Sequence, residues 1–327
     1  MAARRPPAVA RVIERITKTA RAHDLFAPGD LVLLWVSGGP DSVCLLESMV
    51  RLRRLFRIRL AVFHMDHRLR PDSATDAAYV RRLAYRHGLP FHLAVAVDEP
   101  GRSDSVEMWG RFERAREAGK VALAIGASRM ADGHTLDDQA ETILMGLVLG
   151  WGLDGMGGIA PVNGTLVRPL LDVTRTEVEA FCRALHLRPR SDPTNADTNL
   201  LRNALRREAI PAIERSTGRD VKRTFARTAD HLRRDAAALF AHADEHAQAL
   251  VELREHGFAI RARPLLDLPP ALSSRVARRG FQRADLAWDH EAIEAVLDLA
   301  AGSPGRTRDL LLGIKARRTR THVEVEG

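Results

Sequence analysis

The stretch "LVLLWVSGGPDSVCLLESMV", residues 31–50, decides how this chain is read. Its first part is a short aliphatic run that stops at a Gly pair, the pattern of a buried strand. Its last part has helical spacing, with Val43, Leu46, Met49 and Val50 on one side. Between the two lies Ser37-Gly38-Gly39-Pro40-Asp41-Ser42. Two glycines let backbone approach a ligand closely, and N–H groups at a helix N-terminus suit an anion. Ser37 and Ser42 add hydroxyl donors, whereas Asp41 has the wrong charge for a phosphate unless it holds Mg2+ or a substrate group. The loop lacks the Gly-Lys-Ser/Thr ending of a Walker A loop and the Gly-x-Gly-x-x-Gly spacing of a dinucleotide turn. Taken alone, the hexapeptide also fits a tight turn with Asp41 at the start of a helix.

The flanking sequence repeats the strand–helix alternation. "RIRLAVFHMDH" reads as a second strand, "SATDAAYVRRLAYRHG" as a helix closed by Gly88, and "LPFHLAVAV" as a third strand. A long helix is predicted from about Ser105, a short fourth strand within "SRMADGH", and another helix from about Thr135. This alternation predicts an α/β fold, a doubly wound parallel sheet whose ligands bind beyond the carboxyl ends of the strands. SGGPDS, the segment 64–67 and the segment 133–135 each follow a predicted strand, so all three would meet on one rim. "GWGLDGMGG" (150–158) is too rich in glycine for a helix and reads as a loop, and Thr174 with Glu177 has capping-box spacing. Beyond about residue 215 the alternation stops, and helical periodicity runs to a short strand-like end, "RTHVEVEG". The expected organisation is an N-terminal helix over 1–29, the α/β domain over 30–215, and a smaller, mainly helical domain over 216–327.

Bulk properties narrow the function classes. The 327 residues are 45% hydrophobic and 28% charged, as in an ordinary soluble globular protein. No run approaches the roughly 20 apolar residues of a membrane span, and the N-terminus lacks the apolar core of a signal peptide. The two cysteines, Cys44 and Cys182, both sit in apolar helical contexts. That argues against a disulfide framework, a Cys-x-x-Cys metal site or a sulfur-relay pair, and for a reducing compartment such as the cytoplasm. The net charge of +8 suits a polyanionic partner. Residues 201–234 alone hold ten Arg or Lys against four acids. From charge alone, a solvated helix face accounts for that excess equally well.

Three further stretches carry candidate chemistry. "FHMDHRLR" (63–70) puts His64, Asp66 and His67 at a strand end. In "DGHTLDDQAET" (132–142), His134, Asp138 and Glu141 are spaced to share one helix face, with Asp137 beside them. An acidic first turn complementing the helix dipole, with Thr135 and Asp138 as a capping box, explains one or two of these carboxylates. Three carboxylates within two turns repel each other unless something cationic, a metal or a substrate ammonium, is bound. "SDPTNADTNLLRNALRREAIP" (191–211) joins an Asx-Pro turn to a helix face bearing Arg202, Asn203 and Arg206. Alone it would be no more than a turn and a solvated basic helix.

SGGPDS resembles the PP-loop of the ATP pyrophosphatases, a superfamily that cleaves ATP to AMP and pyrophosphate while adenylating a substrate oxygen. With HMDHRLR, GHTLDDQAET and DPTN followed by RNALR, in this order and spacing, residues 30–215 resemble the tRNA(Ile)-lysidine synthases. The related 2-thiocytidine enzymes carry cysteine pairs, which are lacking here. The resemblance implies an adenine nucleotide alpha-hydrolase-like fold and a ligase acting on cytidine 34 of the CAU anticodon of an isoleucine tRNA. ATP would adenylate the C2 oxygen of the base, and the ε-amine of free L-lysine would then displace AMP.

Carried over by motif, Ser37, Gly38, Gly39, Pro40, Asp41 and Ser42 would bind ATP, Asp41 assisting through Mg2+, with Asp66, His67 and His134 shaping the pocket. Asp41, Asp137, Asp138 and Glu141 would be catalytic, the last three holding the lysine ammonium and helping to deprotonate it. Arg202, Asn203 and Arg206 would face the tRNA. The implied partners are tRNA(Ile) and L-lysine, without a membrane; a homodimer is neither required nor opposed. Some positions depart from the family pattern. Leu149 and Trp151 stand where many members have Arg and Ser in a Gly-rich loop, and Gly110 stands where an Ala precedes Arg111. A full extra C-terminal tRNA-binding domain, found in longer members, is not expected. Two rival readings keep parts of the evidence: another PP-loop tRNA modifier or amide-forming synthetase, and a non-catalytic RNA-binding protein with a decayed ATP site.

Overall fold

The computed structural model describes residues 6–68, 73–97, 106–190 and 201–327, without the side chains of Val106 and Glu107. Leu69 and Arg70 of the HMDHRLR motif and the whole of DPTN lie outside the described residues. The chain divides into two compact units, Met1–Asp230 and His231–Gly327.

The first unit runs α1 (Pro7–Ala22), β1 (Leu31–Trp35), α2 (Pro40–Phe56), β2 (Arg59–Asp66), α3 (Ser73–Arg86), β3 (Phe91–Val95), α4 (Val106–Ile125), β4 (Arg129–Ala131) and α5 (Leu136–Val148). It continues with α6 (Leu153–Met156), the hairpin of β5 (Val162–Asn163) and β6 (Leu166–Val167), and α7 (Arg175–Ala184). Next come α8 (Leu201–Ala204), a π-helical turn over Leu205–Ala209, and α9 (Ile210–Thr217). The division between the units falls within α10 (Val221–Leu250).

The six strands form one sheet in the order β3-β2-β1-β4-β6-β5, parallel except for β5. This is the doubly wound parallel sheet expected from the sequence. β1 lies inside it and is apolar throughout because both of its faces are covered. Val32 and Leu34 pack on one face with buried residues of α1, α2, α3 and α7, while Leu33 packs on the other with Phe63, Ala118 and Ala122. The register pairs Trp35 with Phe63 and Leu34 with Ala131. The segments leaving β1, β2 and β4 therefore emerge side by side at one edge of the sheet.

The Gly-rich stretch 150–158 differs from the loop expected: it contains the helical turn α6, with Gly152 at its N-cap. Trp151 packs over this turn: a Cβ at Gly146 would lie 2.8 Å from its ring, and one at Gly155 3.3 Å from the ring and 3.0 Å from its Cβ. Leu149 and Trp151 thus sit in an apolar loop closed over the end of α5.

The second unit carries the remainder of α10, then β7 (Val251–Arg254), β8 (Gly257–Arg261), α11 (Ala262–Leu266), α12 (Pro270–Arg283), α13 (His290–Ala301), β9 (Thr307–Asp309), β10 (Lys315–Arg318) and β11 (His322–Glu326). The expected helices are present, and with them a five-stranded antiparallel sheet, β7-β8-β11-β10-β9. Only β11 was legible as a strand. "VELR", "TRD" and "KARR" place charges where one face of the sheet meets water, and such short segments read as polar surface. The core behind the sheet centres on Phe258 and Phe281, in edge-to-face contact at 5.1 Å between ring centroids. Gly280 lets α12 approach it, since a Cβ there would stand 2.4 Å from Phe258. Gly280→Ala is expected to destabilise this unit by about 1–3 kcal/mol, the usual cost of overpacking a core. A lowered urea midpoint for the full chain checks this.

Candidate active site

The loop after β1 is built by its own side chains. Gly38 adopts φ +99°, a conformation that favours glycine, and its N–H donates to Ser42 Oγ at 3.1 Å. The Ser42 hydroxyl donates onward to Gly39 O at 3.0 Å and lies 3.2 Å from Ser37 Oγ. Pro40 is the first residue of α2 after the N-cap Gly39, where the missing N–H costs nothing. The first-turn amides of Asp41 and Ser42 have no carbonyl a turn behind them, and Val43 N–H is the first to reach one, Gly39 O at 3.0 Å. Gly133, from the loop after β4, presses against this turn: a Cβ there would lie 3.2–3.3 Å from the backbone of Asp41 and Ser42.

Asp41 Oδ1 is buried and has no hydrogen-bond partner among the described residues. Burial first, then the nearby Asp138, pushes the Asp41 carboxyl up to about 6. A buried acceptor without a donor fits a cation that arrives with a ligand. Among the described residues, no three His, Cys, Asp or Glu side chains are placed together to hold a metal ion. The protein's share of a divalent cation here would thus be Asp41, the phosphates of a nucleotide supplying the rest.

The carboxylates of α5 have a different arrangement. Thr135 caps the helix and forms the expected capping box with Asp138, whose Oδ2 accepts from Thr135 N–H and Oγ1–H, both at 2.8 Å. Asp138 Oδ1 faces Arg202 Nη2 at 3.1 Å and Arg206 Nη2 at 3.4 Å. Burial works against this carboxylate, but His134, Arg202 and Thr135 outweigh it and hold its pKa below the ordinary value. Glu141, only 1% exposed, is gripped by Arg202 Nε at 2.8 Å, by Arg206 Nη2 at 3.0 Å and by Arg206 Nε. Asp137 Oδ1 binds the Lys222 ammonium at 2.7 Å, and its Oδ2 accepts from Arg175 N–H at 2.7 Å. Asn203 is buried between the two arginines in sequence.

Asp66 and His67 end β2 on the same rim. Asp66 Oδ1 accepts from Arg68 N–H at 2.9 Å, and the His67 ring meets Trp109 edge-on at 5.7 Å. Both His67 ring nitrogens are buried without a hydrogen-bond partner among the described residues. Burial, then Arg114 and His64, lowers the His67 pKa to about 4, so its ring is neutral near pH 7. A Cβ at Gly110 would stand 3.6 Å from the His67 ring, in ordinary contact, so nothing in the structure explains glycine in place of Ala there. His134 Nδ1 lies 2.7 Å from Asp132 Oδ1, and Arg168 Nε binds Asp132 Oδ2 at 3.2 Å.

A family model described as a PP-loop domain matches residues 9–213. A tRNA(Ile)-lysidine synthase of Symbiobacterium thermophilum is 38% identical over 314 residues, covering 90% of this chain and 64% of the relative. One from Gloeobacter violaceus is 38% identical over 297 residues, covering 88% of this chain and 87% of the relative. The chain belongs to the tRNA(Ile)-lysidine synthase family. The U34-tRNA thiolase NcsA of Methanococcus maripaludis shares the fold, with a TM-score of 0.59 at 17% identity, covering 69% of this chain and 79% of that one. Against the Symbiobacterium member of the family, this chain spans a little under two thirds of the relative's length.

The structure gathers Asp41, Asp137, Asp138, Glu141, Arg202 and Arg206 into one charged cluster. Sequence reasoning missed three of its partners, Lys222, Asp132 and Arg168. Lys222 had a signal, being one of only four lysines, with Lys18, Lys120 and Lys315, in an arginine-rich chain. Asp132 also had one, as the acid that immediately follows β4.

The pH behaviour of Asp41 follows from its position. Its folded pKa of about 6 lies above the ordinary aspartate value of 3.8, so the folded state binds this proton more tightly than the unfolded state. That contribution to stability is complete below 3.8 and is lost as pH rises through 6. Asp41→Asn is therefore expected to raise the thermal midpoint of the ligand-free protein at pH 7.5, with the gain vanishing near pH 4. An equal gain at both pH values in a melting series would overturn this placement.

Proposed function

We propose that this protein ligates free L-lysine to C2 of cytidine 34 in tRNA(Ile) bearing the CAU anticodon, in the cytoplasm, with release of AMP and pyrophosphate. The observation that carries the reading is the seat at Asp137, where a lysine ammonium, that of Lys222, already lies 2.7 Å from a buried carboxylate beside the phosphate loop. Family membership supplies the tRNA.

The ATP phosphates lie against the first-turn amides of α2, held by the Gly38–Gly39 backbone and the paired hydroxyls of Ser37 and Ser42. Asp41 would hold Mg2+, which would supply charge neutralisation to the phosphates. The neutral His67 ring, with both nitrogens unengaged among the described residues, faces the nucleoside together with Asp66, while His134 is oriented by Asp132. The cytidine C2 oxygen attacks the α-phosphorus, and the bond to pyrophosphate breaks. With one proton passed to Asp137, the carboxylate of the seat, the lysine ε-amine forms the C2–N bond, AMP departs with the oxygen, and the surplus proton on nitrogen goes to water. Asp137, Asp138 and Glu141 orient the incoming ammonium. The lowered pKa of Asp138 makes it a seat for positive charge rather than a base. Arg206 has five N–H donors and spends those of Nε and Nη2 on Glu141 and Asp138, so its remaining N–H groups can face tRNA or the departing phosphate. Cytidine 34 sits in a single-stranded loop, where unstacking a base is least costly.

Incubation with ATP, labelled lysine and a tRNA(Ile) transcript should put label into the RNA, and Asp41→Ala should lower the rate by roughly 100-fold or more. Label in no CAU-anticodon tRNA would remove the function; undiminished label with Asp41→Ala would remove the site assignment.

The contact at Asp137 yields a sharper expectation. Lys222→Met frees a carboxylate that an internal ammonium now occupies. The KM for lysine should fall roughly twofold to fivefold, the range of a partly exposed ion pair, with kcat little changed. Steady-state kinetics in lysine test this, and an increased KM would mean that Lys222 positions Asp137 instead of competing for it.

A further inference from the structure

Behind the phosphate loop lies a second cavity, of about 350 Å³, between α3 and the segment that follows α7. Arg82 and Arg86, one helical turn apart on α3, face it, joined by His186 and Arg188 from the other side. Like charges four residues apart on a helix repel, and a third guanidinium adds to the cost. Arg82, Arg86 and Arg188 are exposed and form no ion pair among the described residues, and Asp76, one turn before Tyr79, is engaged by Arg190 at 3.6 Å. The Tyr79 hydroxyl is buried with no partner among the described residues.

We propose that this cavity is an anion site that grips a phosphodiester of the RNA substrate, next to the ATP loop. The inference rests on the reading of the chain as a tRNA-modifying enzyme and deepens it. Convergent, unpaired guanidinium groups are the recognition chemistry of phosphate. The Tyr79 ring in its wall has no free face on which a base could stack. The Tyr79 ring is covered by Gly38, where a Cβ would lie 3.5 Å away, and by the Arg190 guanidinium at 5.5 Å. The site therefore holds backbone rather than base, which positions RNA without reading its sequence. Its wall is shared with the ATP site: Arg190 N–H donates to Gly38 O at 2.9 Å. A phosphate held by Arg82, Arg86 and Arg188 would thus anchor the RNA directly behind the loop that carries the nucleotide.

The test compares Arg82→Ala/Arg86→Ala with a control pair, Arg11→Ala/Arg21→Ala, which removes two exposed charges from α1. Binding of tRNA(Ile) is measured without ATP or lysine over a range of salt, and ATP binding is measured without tRNA. The expected result is roughly tenfold weaker tRNA binding for the cavity pair, with a salt slope smaller by about one, unchanged ATP binding and little effect in the control. Weakened ATP binding with normal tRNA binding would assign the cavity to a free nucleotide and overturn the proposal. So would tRNA binding that matches the control. Because the RNA arm needs no turnover, a failure of lysine incorporation by the unaltered protein would leave this measurement readable.

Discussion

Burial of Glu141 is the constraint around which the catalytic rim closes. An ionised carboxylate so far out of water is costly unless it is paired and fully hydrogen-bonded. Its place on α5, two turns beyond the Thr135 cap, puts it inside the fold, so cations must come to it. Arg202 and Arg206 do so with planar forks that reach both oxygens, and they share Asp138 as a second acceptor. The docking of α8 and the π-helical turn onto α5 is thereby fixed by charge as well as by packing. Removing either arginine alone would leave carboxylate charge unpaired, so effects of such variants on turnover would mix loss of structure with loss of chemistry.

Much of this was legible because it is local. A strand, a Gly pair and a helix beginning at Pro40 are set by neighbouring residues, and so are the capping boxes at Thr135 and Thr174. The parallel sheet was legible for a related reason, since strands buried on both faces must be apolar throughout. The three missed partners belong to contacts that no local pattern encodes: Lys222 reaches Asp137 across 85 residues, and Arg168 reaches Asp132 across 36. Arg202 and Arg206 were recognised as a helix face, yet sequence could not say that this face turns inward to carboxylates. The sheet of the second unit was hidden by its composition, because charged residues on short strands look like solvated surface until their partners are known.

The carboxylates of the rim divide by what surrounds them. Asp138 has its capping hydrogen bonds, His134 and Arg202, and its pKa is lowered; Asp41 has one oxygen without a donor among the described residues, and its pKa is raised. They stand close enough for each charge to be felt by the other, so this division is not a difference of location. It is a difference of supply. Every carboxylate on α5 has been provided with a cation from within the chain, and Asp41 has not.

That imbalance bears on how a nucleotide could be accepted. Asp137, Asp138 and Glu141 are ion-paired with Arg202, Arg206 and Lys222, and the excess carboxylate at the mouth of the phosphate loop is Asp41, which has no ion pair among the described residues although Arg175 and Arg206 act on it from farther off. Bare polyphosphate would meet that excess as repulsion, and the helix N-terminus, worth about half a charge, would not cancel it. A nucleotide arriving with a divalent cation would reverse the sign, and Asp41, with one oxygen lacking a donor among the described residues, is the residue that would hold it. The same logic makes Lys222 consequential. Its ammonium keeps Asp137 from adding to that excess, and under the proposed reaction a free lysine taking that seat would restore the same charge there. A site arranged in this way discriminates by sign before it discriminates by shape.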